Sequence, residues 1–165
     1  MLNKFYLFII IFLLFPSFAL ANFCGHVIRV VDGDTLQILM TDGQILKVRL
    51  NGIDAPELGQ PFGQRSKNNL INLSAQKQAE ILGTTKDRYG RQLGTLIIEN
   101  ININAEQVKT GMAWAYRYRG HAIDANMLKL QTVAKKNKIG LWSASNPVEP
   151  WKWRTMKKNK NTPKP

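Results

Sequence analysis

The sequence predicts an α+β fold in which five short strands close into a small barrel and helices pack beside it. Three observations carry this. Short runs of β-branched and aliphatic residues are punctuated by Asp-Gly, Asn-Gly and Pro. Alternation of the strand type fills the first part of the chain, and helical spacing becomes clear only later. No segment repeats, so five strands have to protect their own edges, and closure does that most simply. The chain's 165 residues suit one ordinary domain with tails.

The elements follow in order. Val27, Ile28, Val30 and Val31 form the first run, closed by Asp32-Gly33. Thr35 to Met40 and Ile45 to Leu50 are the next two, joined by Thr41-Asp42-Gly43-Gln44. Asp-Gly between such runs marks a hairpin. Asn51-Gly52 and Pro56 then break regularity and put Asp54 to Glu57 on a loop. Residues 62–73 are compatible with a helix. Gln78 to Leu82 and Leu93 to Ile98 read as the last two strands, joined by a polar stretch ending in Tyr89-Gly90-Arg91. A short helix follows, with Asn104 suited to its N-cap, Gln107 three positions on, and Gly111 where a C-terminal glycine belongs. The last helix spans Ile123 to Asn137, with Ile123, Met127, Leu130 and Ala134 on one face.

The two ends differ from this body. Residues 1–21 carry Lys4, an apolar run from Phe5 to Phe15, Pro16-Ser17, and Ala19-Leu20-Ala21. These are the parts of a secretory signal peptide cut after Ala21. The expected location is secreted or periplasmic, without stable membrane association after cleavage; an uncleaved, tethering N-terminus is the alternative. Between Trp151 and Pro165 there are six basic residues and no acid, with prolines at 147, 150, 163 and 165. That composition predicts a basic, loosely attached tail over 147–165. A functional domain over 22–146 remains.

Charge and cysteine usage narrow the function. The chain has 23 Lys and Arg against 11 Asp and Glu, a net of +12, which points to an anionic partner. One cysteine excludes an intramolecular disulfide framework, and two histidines make a Cys/His zinc site improbable. No Gly-x-Ser-x-Gly elbow and no Walker-type phosphate loop is present. Cys24 and His26 lack the further partners of a catalytic dyad.

Four short motifs bear chemistry. Asp32-Gly33-Asp34-Thr35, Arg49 inside Lys47-Val48-Arg49-Leu50, Asp54-Ala55-Pro56-Glu57, and Asp87-Arg88-Tyr89-Gly90-Arg91 each have a plain structural reading as turns or solvated positions. Together, in a basic chain, they supply a complete set. Asp34 and Asp54 are hard oxygen ligands for calcium or magnesium. Arg49 and Arg91 are planar forks matching phosphate. Glu57 is a carboxylate able to take a proton from water. Phosphodiester hydrolysis uses all three roles.

These motifs, in this order and spacing, resemble the signature blocks of the staphylococcal nuclease (thermonuclease) family. Gly111-Met112-Ala113, Tyr116, Tyr118 and Leu141-Trp142-Ser143 extend the similarity, which covers about residues 25–143. The resemblance implies a five-stranded OB-fold barrel with about three α-helices, and a calcium-dependent endonuclease of DNA and RNA leaving 3′-phosphates. Asp34 and Asp54 would hold Ca2+ through carboxylates and Ala55 through its carbonyl; threonine is frequent at that last position. Glu57, Arg49 and Arg91 would be catalytic, and Asp32 would stand behind the ligands. Arg88, Tyr89, Tyr116 and Tyr118 would bind substrate, single strands being favoured because bases stack on aromatic rings. The segment Leu58 to Ser66 is shorter than the loop of the best-known member. A monomer is expected. The alternatives are an inactive nucleic-acid-binding OB module, in which loss of Arg49, Glu57 or Arg91 would be expected, and a membrane-surface protein, which leaves Asp34 and Asp54 without a task.

Overall fold

In a computed structural model of the chain, residues 22–161 are described; the signal-peptide expectation for 1–21 lies outside them. The architecture is α+β, with a closed five-stranded mixed barrel of the OB type and helices around it. Strands β1 (Asn22–Val30), β2 (Thr35–Met40) and β3 (Ile45–Leu50) form an antiparallel meander. Strand β4 (Ile53–Asp54) is a separate short piece. Strand β5 (Gln78–Leu82) pairs antiparallel with β1, and β6 (Gln92–Ile98) with β5. Parallel pairing of β3 with β6, Arg49 opposite Leu93, closes the barrel. Alternate side chains therefore point inward, and Val27, Leu36, Ile38, Val48, Leu50, Ile81 and Leu96 are fully buried.

The second and third strands and β5 match the expected limits, because their alternation is regular and their turns are explicit. Asp54 differs. It lies not on a free loop but on β4, paired with β8 (Trp114–Ala115) so that Asp54 faces Trp114 across the ladder. A two-residue strand carries no periodicity to read. Short β7 (Ile101–Asn102) folds back antiparallel on the end of β6, and β9 (Arg117–Tyr118) pairs with β10 (His121–Ala122).

The described residues hold four α-helices: α1 (Gly63–Ser74), α2 (Ile103–Lys109), α3 (Ala125–Lys136) and α4 (Pro150–Asn161), with a 3-10 turn at Gly140–Ser143. The α2 cap differs from the expectation. Asn102, not Asn104, caps the helix by accepting from Ala105 N at 3.0 Å. Asn104 is fully buried and ties three barrel groups together: it accepts from Leu96 N and donates to the carbonyls of Asn51 and Gly94. Gly111, at φ +66°, does end this region in the left-handed conformation that glycine tolerates.

The expected loose tail is also different. Residues 150–161 are helical, Pro150 stands at the first position, where its missing N–H costs nothing, and Glu149 pairs with Lys152 at 3.0 Å. Trp151 packs on a second apolar cluster of Trp114, Ala134, Leu141 and Trp142, in which the two buried indoles meet edge to face at 5.1 Å. Gln60 adds a hydrogen bond to the Val148 carbonyl at 2.6 Å. Among the described residues, no helix is long and apolar enough to cross a membrane. Cys24 is exposed as a free thiol.

Candidate active site

The site is built where three turns meet at one end of the barrel. The first is the Asp32–Thr35 turn. Asp32 accepts from Asp34 N at 3.0 Å, and Val31 N donates to Thr35 O at 2.8 Å. Its outer side is fixed from two helices: a Cβ on Gly33 would collide with Ser66 of α1 and with Ala55, and Gln107 of α2 donates to the Gly33 carbonyl at 2.6 Å. Glycine is needed here for close approach.

The second is the Ala55–Glu57 segment that leaves β4 at Asp54. Ala55 N donates to Asp34 Oδ2 at 2.7 Å, so the two acidic turns are joined backbone to carboxylate. Glu57 accepts from Gln60 N through its carbonyl at 2.8 Å, and its own N–H donates to Gln60 Oε1 at 3.2 Å. At the start of α1, Gly63 lets the Glu57 carbonyl come close enough to exclude any side chain. Glu57 is thereby held at the cleft rim while its carboxylate remains about half exposed.

The third turn holds the arginine at position 91. Gly90, at φ +77°, closes it, with Gly90 N donating to Asp87 O at 3.0 Å. Asp87 accepts from Arg91 Nε at 2.7 Å and from the amides of Tyr89 and Arg91 at 2.8 and 3.0 Å. Arg88 and Arg91 flank the exposed Tyr89 ring, 4.9 and 5.5 Å from its centroid.

Arg49 comes from β3, on the face opposite buried Val48 and Leu50, as alternation requires. Its Nη2 bridges Asp34 Oδ2 at 3.1 Å and Asp54 Oδ1 at 3.0 Å. Its Nη1 donates to the carbonyls of Leu50 and Ile53 at 2.7 and 2.9 Å. The side chain is thus oriented by backbone before any ligand arrives.

A second cation, outside every motif, completes the cluster. Arg154 of α4 reaches both oxygens of Asp54, at 3.2 and 2.8 Å, and Glu57 Oε1 at 2.8 Å. No motif marks Arg154. Its signal lay in Trp151 and Arg154 being three apart, hence on one helix face, inside an acid-free stretch.

The cleft encloses about 630 Å³. Asp34, Asp54, Ala55, Glu57, Arg49, Arg91, Arg88, Tyr89 and Tyr116 all line it, as do Asp32, Asp87 and Arg154. Tyr118 does not; it stands exposed on the β9–β10 hairpin with Arg119 over its ring at 5.4 Å.

Electrostatics follow from burial. Burial, with the Asp34 charge beside it, pushes the Asp32 carboxyl up to about 6. Burial also raises Asp54, against the opposing hydrogen bond from Arg154 and charge of Arg49. The Arg154 guanidinium is partly desolvated, yet its bonds to Asp54 and Glu57 hold its proton more firmly than usual. Among the described residues, no three His, Cys, Asp or Glu side chains close into a ready-made metal cage; Arg49 and Arg154 stand among the acids instead. The donor chemistry nevertheless fits a hard divalent cation. Asp34 and Asp54 are buried carboxylates in contact with the same guanidinium, and such groups require positive charge close by.

Comparison with known proteins identifies the family. The family described as "Staphylococcal nuclease homologue" matches residues 47–144, which include Arg49, Asp54, Glu57 and Arg91. The chain is 43% identical over 150 residues to "Micrococcal nuclease" of Shigella flexneri, covering 86% of each. It is 41% identical over 157 residues to "Protein ParB" of Escherichia coli, covering 90% of this chain and 88% of that one. An "Uncharacterized endonuclease" of Haemophilus influenzae is 45% identical over 137 residues, 83% of this chain and 75% of its own. With the barrel, the ordered motifs and relatives matched over most of their length, the chain belongs to the staphylococcal nuclease homologue family.

Proposed function

We propose that the protein is a calcium-dependent endonuclease that hydrolyses phosphodiester bonds of DNA and RNA and leaves 3′-phosphates. The observation that carries the reading is one cleft in which buried Asp34 and Asp54 meet Glu57, Arg49 and Arg91. Family membership supports nuclease-type chemistry independently.

Asp34 and Asp54, with the Ala55 carbonyl, would hold Ca2+. When bound, the ion supplies charge at the phosphate and lowers the cost of deprotonating water. Glu57 takes the proton of the attacking water, whose oxygen bonds to phosphorus as the bond to the 5′ oxygen breaks. Arg49 and Arg91 donate to the phosphate oxygens, whose charge grows in the transition state. Asp87 keeps Arg91 aimed through its Nε, leaving the guanidinium tip for the phosphate. Tyr116 and Tyr89 in the cleft offer stacking faces for unpaired bases, and Arg88 a further cation. Tyr118 is assigned the outer end of the same path. One chain carries every residue this reading uses, in keeping with a monomer. Export of the chain, directed by residues 1–21, belongs to the same proposal.

The test is cleavage of labelled single-stranded DNA and RNA by the purified protein in calcium and after chelation. Cleavage in calcium that stops on chelation, with 3′-phosphate ends, is expected. Absence of cleavage in calcium contradicts the enzyme reading, and undiminished cleavage after chelation contradicts the metal assignment.

A further inference from the structure

We infer that helix α4 is a tethered competitor of the cation, with Arg154 holding the carboxylates that the ion needs. The inference rests on the cation site proposed above and adds a control over it.

Three observations carry it. Arg154 engages both oxygens of Asp54 and one of Glu57, so the acids closest to the chemistry are neutralised by a side chain of the same molecule. Trp151, packed against the cluster around Trp114 and Trp142, docks the helix where Arg154 reaches the acids. Arg154 itself is 46% exposed on its side chain, while Asp54 is 1% exposed. When Arg154 leaves, Asp54 keeps Arg49 and gains the ion as partners of opposite charge, and the half-exposed Arg154 is taken up by water.

Arg154 spans both Asp54 oxygens while Arg49 touches only Oδ1, so a divalent ion that takes Asp54 Oδ2 displaces Arg154 and not Arg49. The helix and the ion are therefore mutually exclusive ligands of one site. The apparent affinity for the ion is reduced by the fraction of molecules in which the helix is released. Arg49 does not play the same part, because two backbone carbonyls hold it whether or not the acids are occupied. Release of α4 also opens the Glu57 carboxylate, so ion binding and exposure of the base are one event.

The experiment is calorimetric titration of the full-length chain with calcium chloride alone, in the natural protein, Arg154→Ala and Lys157→Ala. Lys157→Ala removes a like charge from an exposed position on the same helix and separates general charge from the specific contact. Arg154→Ala should bind calcium about tenfold more tightly if the helix occupies the site in nine molecules of ten, and Lys157→Ala far less so. Amide hydrogen exchange supplies the second readout: in the natural protein, saturating calcium should speed exchange over residues 150–161. Trp151→Ala removes the anchor without touching a charge, and should tighten calcium binding in the same direction. Equal or weaker binding by both Arg154→Ala and Trp151→Ala, equal tightening by Lys157→Ala, or exchange in α4 unaffected by calcium overturns the competition. Absence of calcium binding in every form instead overturns the cation site itself.

Discussion

Asp87 fixes Arg91 at two places, accepting its Nε–H through Oδ2 at 2.7 Å and its backbone N–H through Oδ1 at 3.0 Å. The first bond sets the direction of the guanidinium and the second sets the turn that presents it. Asp87→Asn preserves an acceptor for the turn and loses the charged partner of Nε. Turnover should fall about tenfold or more, since small displacements of a positioned group are costly, while the fold is nearly unchanged. Steady-state kinetics with circular dichroism checks this. Full activity in Asp87→Asn would mean that Arg91 needs no such aiming.

The same pair makes a prediction about pH. Burial disfavours the Asp87 carboxylate, but the bonds from Arg91 and Tyr89 outweigh it and hold the carboxyl below its ordinary 3.8. A folded value below the unfolded one means the contribution to stability is complete above 3.8 and is lost as pH falls through the folded value. An NMR titration of Asp87 should give a midpoint under 3.8, moving upward in Arg91→Ala. The stability gap between the natural protein and Asp87→Asn should narrow over the same acid range. A midpoint at or above 3.8 contradicts the assignment.

Gly33→Ala tests the packing behind the first acidic turn. The added methyl meets Ser66 and Ala55, both on elements that cannot retreat without moving the site. Destabilisation of about 1–3 kcal/mol is expected from such overpacking, with weaker calcium binding because Asp34 shifts. Urea unfolding and calcium titration give the two readings. A neutral effect on both would show that the turn has slack.

Asn104→Ala tests the polar joint between α2 and the barrel. It leaves Leu96 N without its side-chain partner in a buried place, while Gly94 O keeps its bond from Asn51 N at 2.9 Å. A loss of about 1–3 kcal/mol is expected, the cost of an orphaned buried donor. The reverse experiment, Asn102→Ala, removes only the cap and should cost about 1 kcal/mol.

These two asparagines also mark how far the sequence could be read. Regular alternation located β2, β3 and β5, and the Asp-Gly hairpin between the first two, because both signals are local. That Asp34, Arg49, Asp54, Glu57 and Arg91 belong together could be read from their ordered spacing, and they line one cleft. Asn102 against Asn104 was not legible, since either can cap and only the third dimension decides which one turns inward. Asp54 on a strand was hidden because two residues have no period. Arg154 was hidden most deeply. A basic stretch with scattered aromatics has the composition of a solvated tail, and only the Trp114–Trp142 cluster, assembled from distant positions, gives Trp151 a place to dock.

The most direct measurement is the single-turnover cleavage rate of Glu57→Gln beside its affinity for single-stranded DNA in calcium. Glutamine keeps the shape and the backbone contacts to Gln60 but cannot take a proton. A rate lower by about 100-fold or more, with DNA and calcium affinity largely retained, is the predicted result for loss of a general base. Cleavage at an undiminished rate, or parallel loss of rate and binding, would contradict the role given to Glu57.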